Sequence, residues 1–305
     1  MVLLQQMCIL FIYIVIGYAA CKKGYFDQEF GKKLSWLVVN IANPIMAISA
    51  VVNSESTITR HDFYTTVLLA VISYIFLLIL AHILPALIRV PKADRGVYKV
   101  MSTFNNIGFI GFPIIAAAYG NGALIYAVPF SIMFNILAYT WGIQTLKGGS
   151  EKGQWKMIIN VGTIGGVIAI VLFFLQSPMP QMICSLTAGL SNLTGPLSMM
   201  VIGISLADIK FQELFTDVRL LKFAFVKLLI VPIIAMLIIC RVVDNQLICE
   251  VCLIMMGTPA ASMCAMLSQQ YGGDYELAAR GVALTTIFSV VTIPIVSEIV
   301  FHIAI

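Results

Sequence analysis

Apolar residues run along this chain in long blocks, and polar residues collect in the short joins between them. A helix needs about 20 consecutive apolar residues to cross a bilayer. Blocks of that order fall at residues 5–21, 34–52, 63–88, 97–118, 123–146, 157–176, 182–206, 220–240, 246–267 and 277–301. The pattern predicts an all-α membrane protein of ten transmembrane helices, with no room for a soluble domain.

Composition agrees, because 60% hydrophobic and 10% charged residues exclude an ordinary soluble protein. The charges also orient the chain, since cationic joins stay on the cytoplasmic side. Fifteen Lys and Arg fall in the odd-numbered joins, from Lys22 and Lys23 in the first to Arg280 in the ninth, against only Arg60 and Arg241 in the even ones. Ten helices with both termini outside the cytoplasm, in the cell membrane, follow from that alternation. The formal charge of +4 therefore reports topology and gives no support to nucleic-acid binding. No cation precedes the first block and two lysines follow it, the reverse of a secretory signal, so it reads as a retained helix.

Chemistry of the enzymatic kind is hard to find. The seven cysteines are odd in number and mostly sit in apolar blocks, so they read as small core residues. Cys249 and Cys252 have the spacing of a metal or redox pair, but no second pair completes a site. His61, His82 and His302 are scattered, and neither a metal site nor a nucleophile with its base is visible. The expectation is a protein that is not an enzyme and carries no cofactor.

The two halves of the chain echo one another. "IANPIM" at residues 41–46 has a counterpart in "LTGPLSM" at residues 193–199, with Pro44 and Pro196 offset by 152. Asp62 opens the third block and Asp217 precedes the eighth. Gly111-Phe112-Pro113 is echoed by Gly257-Thr258-Pro259, and "AYGNG" by "QYGGD". Five blocks per half is an odd number, so the halves enter the membrane in opposite senses, the inverted-repeat arrangement of secondary transporters. The expected organisation is a first five-helix repeat at 1–146, a cytoplasmic linker at 147–156 and a second, inverted repeat at 157–305.

The fourth and ninth blocks carry residues that a continuous helix disfavours. Pro113 with Gly108 and Gly111, and Pro259 with Gly257, predict a break near the middle of each. Broken backbone at that depth must line a polar cavity or lie buried in protein. Half-helix N-termini there would offer N–H groups to an anion such as a carboxylate, with Asn105 and Asn106 at hand to hydrogen-bond it.

"NNIGFIGFPI" followed by "YGNGAL", and "GTPAASM" followed by "YGGDYELAARGVALTTIFSVVTIP", together with the "NP" of the second block, resemble the auxin efflux carrier family. The likeness runs across essentially the whole chain and is closest to the compact malonate and malate transporters of bacteria. It implies a bile-acid-sodium-symporter-like fold in which spans 1, 2, 6 and 7 form a scaffold. Spans 3 to 5 and 8 to 10 would carry a small organic anion past it by an elevator motion. It also implies a site where the broken helices cross, here Asn105, Asn106, Pro113, Gly257 and Pro259, and a homodimer through the scaffold.

Other residues remain open on sequence alone. Asn43 with Pro44 either lines the site or marks a kink. Lys227 either faces the substrate from within the eighth block or snorkels to the cytoplasmic interface. Glu250 reads as an interfacial carboxylate or a titrating group, and Gly162 with Gly166 as a helix-packing pair. The coupling ion is undetermined between proton, sodium through Thr285, Thr286 and Ser289, and none. A passive channel and a non-transporting membrane sensor are the alternatives to a carrier.

Overall fold

The computed structural model describes residues 2–53, 59–148, 154–176, 179–209 and 211–304. Residues 149–153 of the expected linker and Lys210 of the seventh join lie outside them. The described chain is helical throughout, with one isolated antiparallel bridge and no strand. Helices α1 (Val2–Lys22), α2 (Gln28–Val52) and α3 (Arg60–Leu87) cover the first three blocks. The fourth block divides into α4 (Arg95–Thr103) and α5 (Ile107–Tyr119), and α6 (Asn121–Leu146) follows. In the second half come α7 (Val161–Leu175), α8 (Gln181–Ala207) and α9 (Val218–Ile239). The ninth block divides into α10 (Gln246–Gly257) and α11 (Ser262–Tyr271), and α12 (Tyr275–Ala304) ends the chain.

Seven of these helices are long and apolar enough to cross a membrane. The shortfall from ten blocks has a local cause in each case. Two blocks are broken, and α7 has only 15 residues, preceded by a 3-10 turn at Trp155–Ile158. Their outward faces are those of a multi-pass membrane protein. Leu68, Ile72, Ile75, Ile79, Ile83 and Leu87 form an exposed stripe along α3, while Ala70, Tyr74, Leu77, Ala81 and Leu84 on its other side are buried. An apolar stripe of that length in water would be a large liability, whereas lipid accepts it.

Side chains at helix starts satisfy the first N–H groups. Asp217 accepts from Arg219 and Leu220 ahead of α9, Asn245 from Leu247 and Ile248 ahead of α10, and Asn160 from Thr163 ahead of α7. The "YG" echo is also structural. Helices α5 and α11 each end on a positive-φ glycine, Gly120 and Gly272, a conformation that costs other residues a clash at Cβ.

The prolines behave differently from the sequence expectation. Pro44, Pro113 and Pro232 each lie within a continuing helix, two residues after a π-turn at Val38–Ala42, Ile107–Gly111 and Val226–Ile230. Proline has no N–H for the carbonyl four residues back and its ring collides with that carbonyl. Widening the preceding turn removes the collision without ending the helix. Pro113 therefore does not break the fourth block; the break lies upstream, at residues 104–106.

The chain forms two compact units. The first comprises residues 1–67, 107–132 and 159–209, and the second residues 68–106, 133–158 and 210–305. The second half of the broken fourth block and the start of α6 group with α1, α2, α7 and α8. That differs from an undivided scaffold of spans 1, 2, 6 and 7. Within the first unit, glycines let helices touch at their backbones. A Cβ on Gly17 of α1 would run into the backbone of Met200 on α8, and one on Gly203 into that of Ile14. Gly165 packs on Pro44, where a Cβ would lie 2.7 Å from Pro44 Cβ, and this contact brings α7 against α2.

Candidate functional site

The site is built in the second unit, from the two breaks and α9. Thr258 precedes Pro259 and is pushed to extended geometry (φ −67°, ψ 151°), which ends α10. Phe104 (φ −99°, ψ 107°) is likewise extended and ends α4, with no proline after it. The two extended segments then cross antiparallel with Asn105 opposite Ala260. Asn106 N–H donates to Pro259 O at 2.7 Å, and Ala261 N–H to Phe104 O at 2.9 Å. These two bonds exchange under a local two-fold axis, so each break supplies what the other lacks.

Side chains break that symmetry. Asn105 Nδ2 donates to Met255 O (2.8 Å) and Met256 O (3.2 Å), among the last carbonyls of α10, which have no partner within the helix. Its Oδ1 accepts from Lys227 Nζ at 2.5 Å, and the same ammonium reaches Ser102 O near the end of α4 at 3.3 Å. Lys227 is 2% exposed and no carboxylate lies within 4.0 Å of it among the described residues. It stands nine residues into α9, about 14 Å along the axis. It does not snorkel. The π-turn at Val226–Ile230, set up by Pro232, is where it leaves the helix.

Asn106 is also buried, and its Nδ2 has no hydrogen-bond partner among the described residues. Its own N–H is used by the crossing, as is that of Ala261, and that of Ala260 goes to the Thr285 hydroxyl. Free backbone N–H groups are thus scarcer at the crossing than the sequence suggested. Two side chains add donors beside them, the Asn106 amide and the Lys227 ammonium.

Thr285 has a role that the sequence reading missed. Its Oγ1 accepts from Ala260 N–H at 3.2 Å and donates to Gly281 O at 2.7 Å, so α12 fastens the second break. Ser289 donates to Thr286 O within the same helix. Thr258 Oγ1 lies 3.5 Å from Met255 O, and a Cβ on Gly257 would meet nothing closer than 4.0 Å. Glu250 accepts from Gln246 at 2.8 Å on the first turn of α10. Cys249 and Cys252 are buried free thiols.

The structure therefore gathers Asn105, Asn106, Lys227, Gly257, Thr258 and Pro259 in one unit. Asn43, Gly108 and Pro113 lie in the other. There, a Cβ on Gly108 would sit 3.2 Å from Asn43 Nδ2, and Asn43 Oδ1 is buried without a partner among the described residues.

A family model described as membrane transport protein matches residues 2–297. A protein of Methanocaldococcus jannaschii named as an uncharacterized transporter is 26% identical over 305 residues, covering 96% of this chain and 97% of its own. A second of that name, from Methanothermobacter thermautotrophicus, is 23% identical over 294 residues, with 94% and 95% covered. The match places the protein among transporters rather than enzymes. With helices that suit a bilayer and a match from nearly end to end, the chain belongs to the membrane transport protein family, that of the auxin efflux carriers.

Proposed function

We propose that the protein is a secondary transporter that moves a small organic anion, a dicarboxylate such as malonate or malate or another carboxylate, across the cell membrane. The observation that carries this reading is a buried ammonium, Lys227, with no carboxylate beside it among the described residues, bonded to Asn105, whose neighbour in sequence, Asn106, has a buried amide donor with no acceptor among them. Burying a charge and a donor in this way is costly. A carboxylate entering at the crossing would find both positive potential and a hydrogen bond. Asn105, Asn106 and Lys227 are the residues assigned to it, with Gly257, Thr258 and Pro259 shaping the second break. Asn43, Gly108 and Pro113, the other residues expected at the site from sequence, belong to the first unit.

The paired breaks and paired glycine ends support a pair of inverted five-helix repeats, 1–146 and 157–305, joined at 147–156 and crossing the membrane ten times. Both termini would then be outside the cytoplasm. In an elevator cycle spans 3 to 5 and 8 to 10 would carry the anion past a scaffold of spans 1, 2, 6 and 7, with a homodimer formed through that scaffold. Uptake of labelled malonate and malate into proteoliposomes tests the reading. Saturable uptake stimulated by unlabelled acid on the far side is expected. Non-saturating flux would indicate a channel, and no flux or binding of any carboxylate would end the organic-anion assignment.

A further inference from the structure

We propose that the groove between the end of α3 and the start of α9 holds one anionic phospholipid, with an acyl chain along its apolar walls and the phosphate on Arg89, Arg219 and Lys222. The groove lies within the second unit and has a volume of about 450 Å³. Leu87 and Ile88 line it from one side, and Leu221, Lys222, Phe225 and Val226 from the other. Leu87 is 70% exposed and Phe225 56%, so the groove opens on the outer, apolar surface of the unit. A lipid tail suits such walls. Tails are as apolar as leucine, however, so tail packing does not select one lipid over another. Selection falls to the headgroup and to the charges at the end of the groove.

One of those charges is placed at a conformational cost. Helix α3 ends with Arg89 N–H donating to Ala86 O (3.1 Å) and Val90 N–H to Pro85 O (2.8 Å), the paired bonds of a Schellman ending. Arg89 itself, at φ 58°, takes the position that glycine fills at the ends of α5 and α11. A cation is favoured near the carbonyl end of a helix, but one on the preceding turn would serve without the strain. The Arg89 guanidinium has no ion pair or hydrogen bond among the described residues, and a side chain kept so without a protein partner points to a ligand. Arg219 stands three residues before Lys222 on the same face of α9, and both side chains are exposed and likewise without a partner among the described residues. The acids nearest in sequence, Asp94 and Asp217, form no ion pair with any of the three, and Asp217 accepts instead from the backbone of Arg219 and Leu220. Three cations at the end of an apolar groove match a phosphate with its tail, and each cation beside an anionic lipid strengthens the attraction about fivefold.

The claim concerns lipid and does not depend on what the protein carries, so it is tested without a transport substrate. Purified protein in neutral detergent is titrated with phosphatidylglycerol, phosphatidylcholine or inorganic phosphate, with bound lipid read by native mass spectrometry and stability by thermal unfolding. Wild type should retain one phosphatidylglycerol about tenfold or more better than phosphatidylcholine, melt a few degrees higher with it, and ignore inorganic phosphate. Arg89→Gly removes one cation while relaxing the backbone, so it should melt no lower than wild type and still lose about fivefold in phosphatidylglycerol retention. Lys222→Gln should lose a similar factor, and Leu221→Trp, which fills the groove with every cation in place, should lose the bound lipid. If either of these two does not fold, Arg89→Gly decides. Equal retention of the two lipids by wild type overturns the inference, as does a folded Arg89→Gly that keeps the wild-type preference. Stabilisation by inorganic phosphate as large as that by lipid would assign the cations to a free anion and overturn it as well.

Discussion

Lys227 and Asn105 stand 122 residues apart in sequence and meet at 2.5 Å, the ammonium of α9 donating to the amide oxygen at the first break. The amide's other end holds the terminal carbonyls of α10. Asn105 is therefore a bridge whose removal strands three groups at once. Asn105→Ala should lower stability by about 3 kcal/mol, the scale for leaving a buried charge without its partner. Uptake should fall with it. An unchanged unfolding midpoint in detergent would show that the bridge contributes little.

Asn106 makes the contrasting case. Its backbone N–H serves the crossing and survives any substitution except proline, but its Nδ2 is a buried donor with nothing to donate to among the described residues. Such a group costs about 1–3 kcal/mol. Asn106→Ala should accordingly unfold at the wild-type temperature or above while losing at least tenfold in malonate uptake. Loss of both together would make Asn106 a structural residue.

How much of this was legible beforehand follows from the range of each interaction. The broken fourth and ninth blocks, their glycine ends and the candidate asparagines could be read because proline, glycine and amides act on their own backbone within a few residues. The position of the first break could not. A proline announces a missing N–H, yet it does not say whether the chain will end the helix or widen one turn. At Pro113 it widened the turn, and the helix ended at Phe104 instead. Lys227 stood out as a charge in an apolar block, but its partner lay in the distant first break and no local signal joins them. The "TP" of Thr258-Pro259 did carry the needed hint, because the residue before proline is driven to extended geometry.

Pro232 offers a direct test of the widened turns. Replacing it with alanine restores an N–H for the carbonyl of Leu228 and permits α9 to close its π-turn at Val226–Ile230. Closing the turn removes one residue from the ring and rotates what precedes it by about 100°. Lys227 would then turn away from Asn105. Pro232→Ala should keep its helix content by circular dichroism and lose most of its uptake. Uptake at the wild-type rate would show that the π-turn does not aim the lysine.

The first unit is held by a different principle, close backbone approach, and its weak point is Gly203. In the α1 and α8 pair, the position of a Cβ on Gly203 is already taken by the backbone of Ile14 and lies 2.7 Å from Tyr18 N, and backbone cannot swing aside as a side chain can. Lipid offers no hydrophobic drive between helices, so packing of this kind carries much of the association. Gly203→Leu should destabilise the protein by about 1–3 kcal/mol or more, the range for overpacking, and should lower the unfolding midpoint. Gly189 on the same helix has nothing within 4 Å of a Cβ and provides the control, since Gly189→Ala should be neutral or slightly stabilising. Equal effects at the two positions would mean that the loss reflects helix propensity and not the contact between α1 and α8.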